Sequence, residues 1–329
     1  MQVVDEHCSK RRMDEKSEKY VREVAELLSG GELYLVAGAG ISNRAGIPCW
    51  ADLLKEFAEA YNKQEGKSSV RAQEIARLAE TGDLDLFELM LNDVQGEVAL
   101  IKVLKKYFDN QRYDKIHRKL LELPFQGIVT FNYDTCFENA CRKESLRTEL
   151  LEKRWFCFPR YRSREINVQK MCDGSRFLLH VHGCFKYDCE GVVGEYELEN
   201  IVLTQAQYLK FYREKTMDKI IEWLVTKHVL FLGTSLTDKY FLDGIATLRK
   251  PEGLNERANS SKWYKLCSSE REHCGMLDEE KYVMHHIHYK EENDGFLRAV
   301  NAITELTDVD RGGVDKVVVP DSVVVQESI

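Results

Sequence analysis

The chain reads as an α/β protein built on a doubly wound, mostly parallel sheet with a helical insertion or lid, and three observations predict this. Short apolar runs at 33–37, 127–130, 177–181, 201–203 and 229–232 alternate with helical patterns, as parallel strands alternate with crossover helices. Several of these runs end in glycine-rich or polar loops, the place where open α/β sheets build their sites. Between Trp50 and Leu123 the periodicity is almost wholly helical, which is more helix than a single crossover needs. The expected architecture is Rossmann-like.

Taken in order, residues 15–29 place Val21, Val24, Leu27 and Leu28 on one side of an amphipathic helix that Gly30-Gly31 stops. Leu33-Tyr34-Leu35-Val36-Ala37 is then a buried strand feeding Gly38-Ala39-Gly40-Ile41-Ser42. Helices are expected near 51–63, 70–80, 84–93, 96–108 and 114–122, separated by breaks at Gly66, Gly82-Asp83 and Gln95-Gly96. After the strands comes a late strand at 281–289 and a helix around 293–306. Past Thr307 the composition shifts to two valine runs broken by Gly-Gly and Pro. The expected organisation is an N-terminal helix over 1–32, a main domain over 33–306 with a helical insertion at about 51–123, and a C-terminal tail over 307–329.

Composition excludes several classes. Of 329 residues, 43% are hydrophobic and 31% charged, with a mean hydropathy of -0.42, as in a water-soluble globular protein. No stretch approaches the roughly 18 apolar residues of a spanning helix, and the charged N-terminus lacks a secretory apolar core, so a cytoplasmic location is expected. The 10 cysteines are spread along the chain without any C-x2-C pair, which predicts reduced thiols and no structural zinc ribbon. A net charge of -8 argues against direct nucleic-acid binding. Only about 80 residues follow position 250, too few for a further large sensor domain.

The chemistry is expected at four strand ends. Gly38-Ala39-Gly40-Ile41-Ser42 lets backbone approach a pyrophosphate closely, although Asn43 stands where a G-x-G-x-x-G fingerprint has its third glycine. In Thr130-Phe131-Asn132-Tyr133-Asp134, Asn132 offers a donor and acceptors for a ribose hydroxyl or a water, while Asp134 serves equally well as the cap of a following helix. In His180-Val181-His182-Gly183, alternation places both imidazoles on one face. Only His182 reaches the tip, with the proton-exchanging chemistry of imidazole, and His180 reads as a satisfied interior residue. Gly233-Thr234-Ser235-Leu236 offers amides and hydroxyls to a ribose or phosphate, or else turns into a helix capped by Asp238.

In this order and spacing, GAGIS with its following GIP, the Asn-centred loop, the strand-terminal HG and GTSL resemble the sirtuin family. The resemblance is closest to the zinc-free sirtuin-like domains of bacterial anti-phage defence systems, whose loop reads NYD, as in Asn132-Tyr133-Asp134, and whose Trp-x-x-Leu matches Trp50 and Leu53. Protein-deacylating sirtuins have GIPDFR and a four-cysteine ribbon; here Cys49-Trp50-Ala51 follows Pro48 and the ribbon is missing. The resemblance therefore implies NAD⁺ hydrolysis without a metal, with Asn132 and His182 catalytic, Gly38, Ala39, Gly40 and Ser42 on the pyrophosphate, Gly233, Thr234 and Ser235 on the adenosine side, and Asp134 supporting Asn132 or the loop. It also implies a restrained effector that self-assembles or answers to a partner such as a HerA-type ATPase. The alternatives are an NAD⁺-dependent protein deacylase and a non-catalytic module that binds NAD⁺ or ADP-ribose.

Overall fold

Side-chain alternation along short apolar runs decides how the sheet is covered. The computed structural model describes residues 13–65, 69–83, 85–108, 112–144, 155–158, 176–184, 201–213, 216–236, 238–248, 260–268, 284–290 and 294–311. Within them the strands are β1 Leu33–Ala37, β2 Gly127–Thr130, β3 Trp155–Phe158, β4 Arg176–His180, β5 His228–Leu232, β6 Trp263–Ser268 and β7 Met284–Tyr289. They form one 7-stranded sheet in the order β3-β4-β2-β1-β5-β6-β7, with every neighbouring pair parallel. The chain moves outward from β1 through β2 and β4, then returns across β1 to β5 and moves outward on the other side. This reversal is the topological switch that opens a crevice at the carboxyl ends of the strands.

The helices are α1 Glu15–Ser29, α2 Ala39–Ser42, α3 Trp50–Glu65, α4 Val70–Thr81, α5 Asp85–Leu91, α6 Val94–Phe108, α7 Lys115–Glu122, α8 Cys136–Glu144, α9 Gln205–Arg213, α10 Thr216–Leu224, α11 Lys239–Leu248 and α12 Gly295–Arg311. Leu33, Leu35 and Ala37 of β1 point to one face, where Val24 and Leu28 of α1, Leu120 of α7 and Ile303 of α12 cover them. Tyr34 and Val36 point to the other, against Ile220, Ile221 and Leu224 of α10 and Phe241 of α11. Each such buried aliphatic side chain contributes roughly 1.5–3 kcal/mol. Because α1 supplies one face of this core, it is built into the sheet rather than appended to it.

Helices α3 to α6 bury their own core, with Phe57, Tyr61, Phe87 and Leu100 at its centre. This layer also takes in Ile47 after β1, Tyr133 after β2, and Ile201 and Leu203 before α9. The Trp50 ring lies 5.6 Å from Phe87 and 5.7 Å from Tyr133. The helical layer is thus seated on the loops at the carboxyl ends of the strands.

The structure corrects several expectations. Residues 201–203 form no strand: the Val202 amide donates to the His182 carbonyl, and the Leu203 and Thr204 amides both donate to Gln207 Oε1. With the Leu203 and Thr204 donors spent on a helix cap, the single Val202 bond to the turn after β4 does not extend into a ladder. Conversely β3 and β6, absent from the expectations, join the two flanks of the sheet. The late strand covers Met284–Tyr289, residues 281–283 lying outside the described set. Helix α12 continues to Arg311, past the composition change at Thr307, and the two valine runs lie outside the described residues.

Candidate functional site

The four motifs leave β1, β2, β4 and β5, which stand side by side as β4-β2-β1-β5. Adjacent parallel strands are roughly 4.8 Å apart, so neighbouring loops meet directly, and hydrogen bonds show how.

Gly38 and Gly40 are required by the β5 loop rather than by an open cradle. The Gly38 amide donates to the Leu232 carbonyl at 2.9 Å and the Gly40 amide to the Gly233 carbonyl at 2.7 Å. A Cβ on Gly38 would stand 2.5 Å from the Gly233 carbonyl oxygen, and Gly233 itself has a φ of +63°. The Gly38–Ser42 turn therefore lies flush against Gly233-Thr234, at the switch point. Ala39 opens α2, and Ser42 at its end is buried.

Thr130 ties the second loop to the first: its Oγ1 donates to the Ala37 carbonyl at 2.9 Å and accepts the Asn132 amide at 3.1 Å. The Asn132 side chain then donates from Nδ2 to Ser42 Oγ at 3.0 Å. Asp134 Oδ1 accepts the Cys136 amide at the start of α8, the capping arrangement. The Tyr133 hydroxyl donates to the Val202 carbonyl at 2.7 Å and so pins the segment before α9.

The two histidines do not share a face. β4 ends at His180, and the turn through Val181 and His182, closed by Gly183 at φ +78°, breaks the alternation. His180 reaches toward α8, with Nδ1 2.9 Å from the Asn132 carbonyl and Nε2 2.7 Å from Glu138 Oε1. Burial lowers its pKa, but the Glu138 carboxylate and its hydrogen bond outweigh burial and hold it above the usual histidine value. A carbonyl can only accept, so Nδ1 carries a proton. His182 instead turns toward α9, 5% exposed, its ring 5.0 Å from that of Tyr208, 5.3 Å from Phe131 and 5.7 Å from Phe211. Burial pushes its pKa down to about 4 against the opposing pull of Asp238, and its buried Nε2 has no hydrogen-bond partner. At neutral pH it is an uncharged imidazole able to accept a proton.

In the fourth loop Thr234 Oγ1 accepts the Leu236 amide, Ser235 is exposed, and Asp238 caps α11 through Oδ1 to the Phe241 amide at 3.0 Å. The Tyr208 hydroxyl donates to Asp238 Oδ2. The sequence reading missed Tyr208, Phe211 and Glu138. Thr204 and Gln207, spaced as a capping box, were the available sign of the helix that carries the first two.

Among the described residues, Glu138, His180 and Cys184 place possible metal-ligand atoms within 4.8 Å of one another. Both ring nitrogens of His180 already face acceptors, so the cluster is accounted for as a buried hydrogen-bonded pair beside a thiol. Among the described residues, Cys49, Cys136 and Cys141 are thiols outside any disulfide. No described helix is long and apolar enough to cross a membrane.

Residues 126–285, from β2 to the start of β7, match the family model of the SIR2-like domain. The chain is similar to Defense-associated sirtuin 2 of Bacillus subtilis, with 25% identity over 229 residues that cover 69% of this chain and 20% of that protein. It is also similar to NAD(+) hydrolase ThsA of Bacillus cereus (strain MSX-D12), with 22% identity over 229 residues, 69% of this chain and 42% of that protein. The match thus spans about a fifth of one relative and two-fifths of the other. A parallel sheet, four motif loops on its four adjoining strands and these matches together make the chain similar to sirtuin-like domains, with the family model matching residues 126–285.

Proposed function

We propose that the chain is an NAD⁺ nucleosidase that releases nicotinamide and ADP-ribose, and that it serves as a regulated effector of anti-phage defence. The observation that carries this reading is the neighbouring placement of Asn132 and His182: a polar amide fixed by Ser42 and an uncharged buried imidazole, at the ends of adjoining strands. Nicotinamide leaves as a neutral molecule from a cationic precursor, so the site must steady an oxocarbenium-like ribose and supply water. In this reading Asn132 holds that water or a ribose hydroxyl in line, and His182 takes the proton.

The pyrophosphate is assigned to Gly38, Ala39, Gly40 and Ser42, and the adenosine side to Gly233, Thr234 and Ser235. Since the Gly38 and Gly40 amides already donate to the β5 loop, those glycines contribute closeness, and Ala39 and Ser42 the polar contacts. Asp134 supports the Asn132 loop from its capping position. The defence role follows the name of the Bacillus subtilis relative and the hydrolysis that of the Bacillus cereus one, and restraint by self-assembly or a partner chain fits an activity that would deplete its own cell.

The test is nicotinamide release followed by chromatography, from NAD⁺ alone and with an acyl-lysine peptide, at several protein concentrations. Release without peptide is expected, and its steep growth with protein concentration would identify assembly as the switch. Release only with peptide would replace the reading by deacylation, and intact bound NAD⁺ by a binding module.

A further inference from the structure

His182 is ringed by aromatic side chains that carry no charge: Phe131, Tyr133, Tyr208 and Phe211. Among the described residues, the carboxylate in reach of a positive charge arriving at its Nε2 is that of Asp238, whose Oδ2 stands 3.9 Å away. That carboxylate is held by donors from two helices, the Phe241 amide of α11 on Oδ1 and the Tyr208 hydroxyl of α9 on Oδ2. Capping explains Oδ1 alone. An Asn or Ser would cap α11 equally well, yet neither would place a fixed negative charge opposite His182.

Resting on the hydrolysis reading, we propose that Asp238, braced by Tyr208, is a positioning residue whose charge balances the positive charge gained at His182 and at the ribose during cleavage. In that step the bond from ribose C1′ to the nicotinamide nitrogen breaks and its electron pair leaves with nicotinamide. The oxygen of water forms the new bond to C1′, and the water proton passes to His182 Nε2 and then to solvent. Asp238 exchanges no proton in this sequence. Its carboxylate is already oriented before charge develops, which is what makes a fixed group effective.

Asp238→Asn separates the two roles, since it keeps the cap and removes the charge. With the full chain and NAD⁺, it is expected to lower kcat about 10- to 100-fold while KM and the melting temperature hold. Tyr208→Phe is expected to lower kcat by a smaller factor. An unchanged kcat in Asp238→Asn, or a loss that appears wholly in KM, would overturn the assignment. A binding measurement keeps the inference apart from the hydrolysis reading. Dissociation constants are measured for ADP-ribose and for its analogue with a protonated nitrogen in place of the ribose ring oxygen. The wild type is expected to prefer the cationic analogue about tenfold, and Asp238→Asn to lose that preference. If no nicotinamide is released but this preference depends on Asp238, the hydrolysis reading fails and the charge assignment stands. A wild type without the preference, or a variant that retains it, overturns the assignment.

Discussion

His180 and His182 are two positions apart and have opposite electrostatic fates. Glu138 holds the first above the ordinary histidine pKa, and burial among rings takes the second from 6.5 down to about 4. The sign of the consequence for His182 follows from which state binds the proton first. As pH falls below about 6.5 the unfolded chain protonates this histidine while the folded chain does not, so the fold loses stability progressively between about 6.5 and 4. At about 1.4 kcal/mol per pKa unit, the loss by pH 4.5 is roughly 2–3 kcal/mol. Urea unfolding at pH 7 and pH 4.5 checks this: His182→Gln is expected to lose that much less than the wild type, and identical losses would show that His182 titrates normally. The choice of His182 as a candidate rests on its place before Gly183 at a strand end. Its company was not legible, because Tyr208 and Phe211 come from a helix whose sign in the sequence is only the Thr204/Gln207 spacing, and the turn after His180 defeats simple alternation.

At the scale of elements, α8 shows how a structural and a functional reading of one residue are separated. Asp134 caps this helix by accepting the Cys136 amide. Asp134→Ala is expected to cost about 1 kcal/mol, in a range of roughly 0.5–2, and Asp134→Asn only a few tenths. Thermal unfolding of the two variants measures this, and a loss in Asp134→Asn as large as that in Asp134→Ala would show that the charge, and not the cap, is what matters. The helices from α3 to α7 were legible because their 3.6-residue periodicity and glycine breaks are local properties. Strands were less so. An apolar triplet such as 201–203 looks like β-structure until its amides are traced to Gln207, and β6 carries a buried Lys265 in the middle of its run. What decides these cases is a partner distant in sequence.

For the whole molecule, the order β3-β4-β2-β1-β5-β6-β7 was beyond reach of the sequence, which supports a parallel sheet without saying which strands adjoin. That order brings four short motifs together at the carboxyl ends of adjoining strands. Ser42 meets Asn132, Gly40 meets Gly233, and Asp238 of the fourth loop faces His182 of the third. It also explains why the helical layer α3 to α6 bears on the site, through Trp50 against Tyr133. The most direct test of this account measures NAD⁺ affinity and nicotinamide release together for the wild type, Asn132→Ala and His182→Ala. The account predicts that all three bind NAD⁺ within a few-fold of one another while both variants lose about 10²- to 10⁴-fold in release. Release at the wild-type rate by either variant would contradict it.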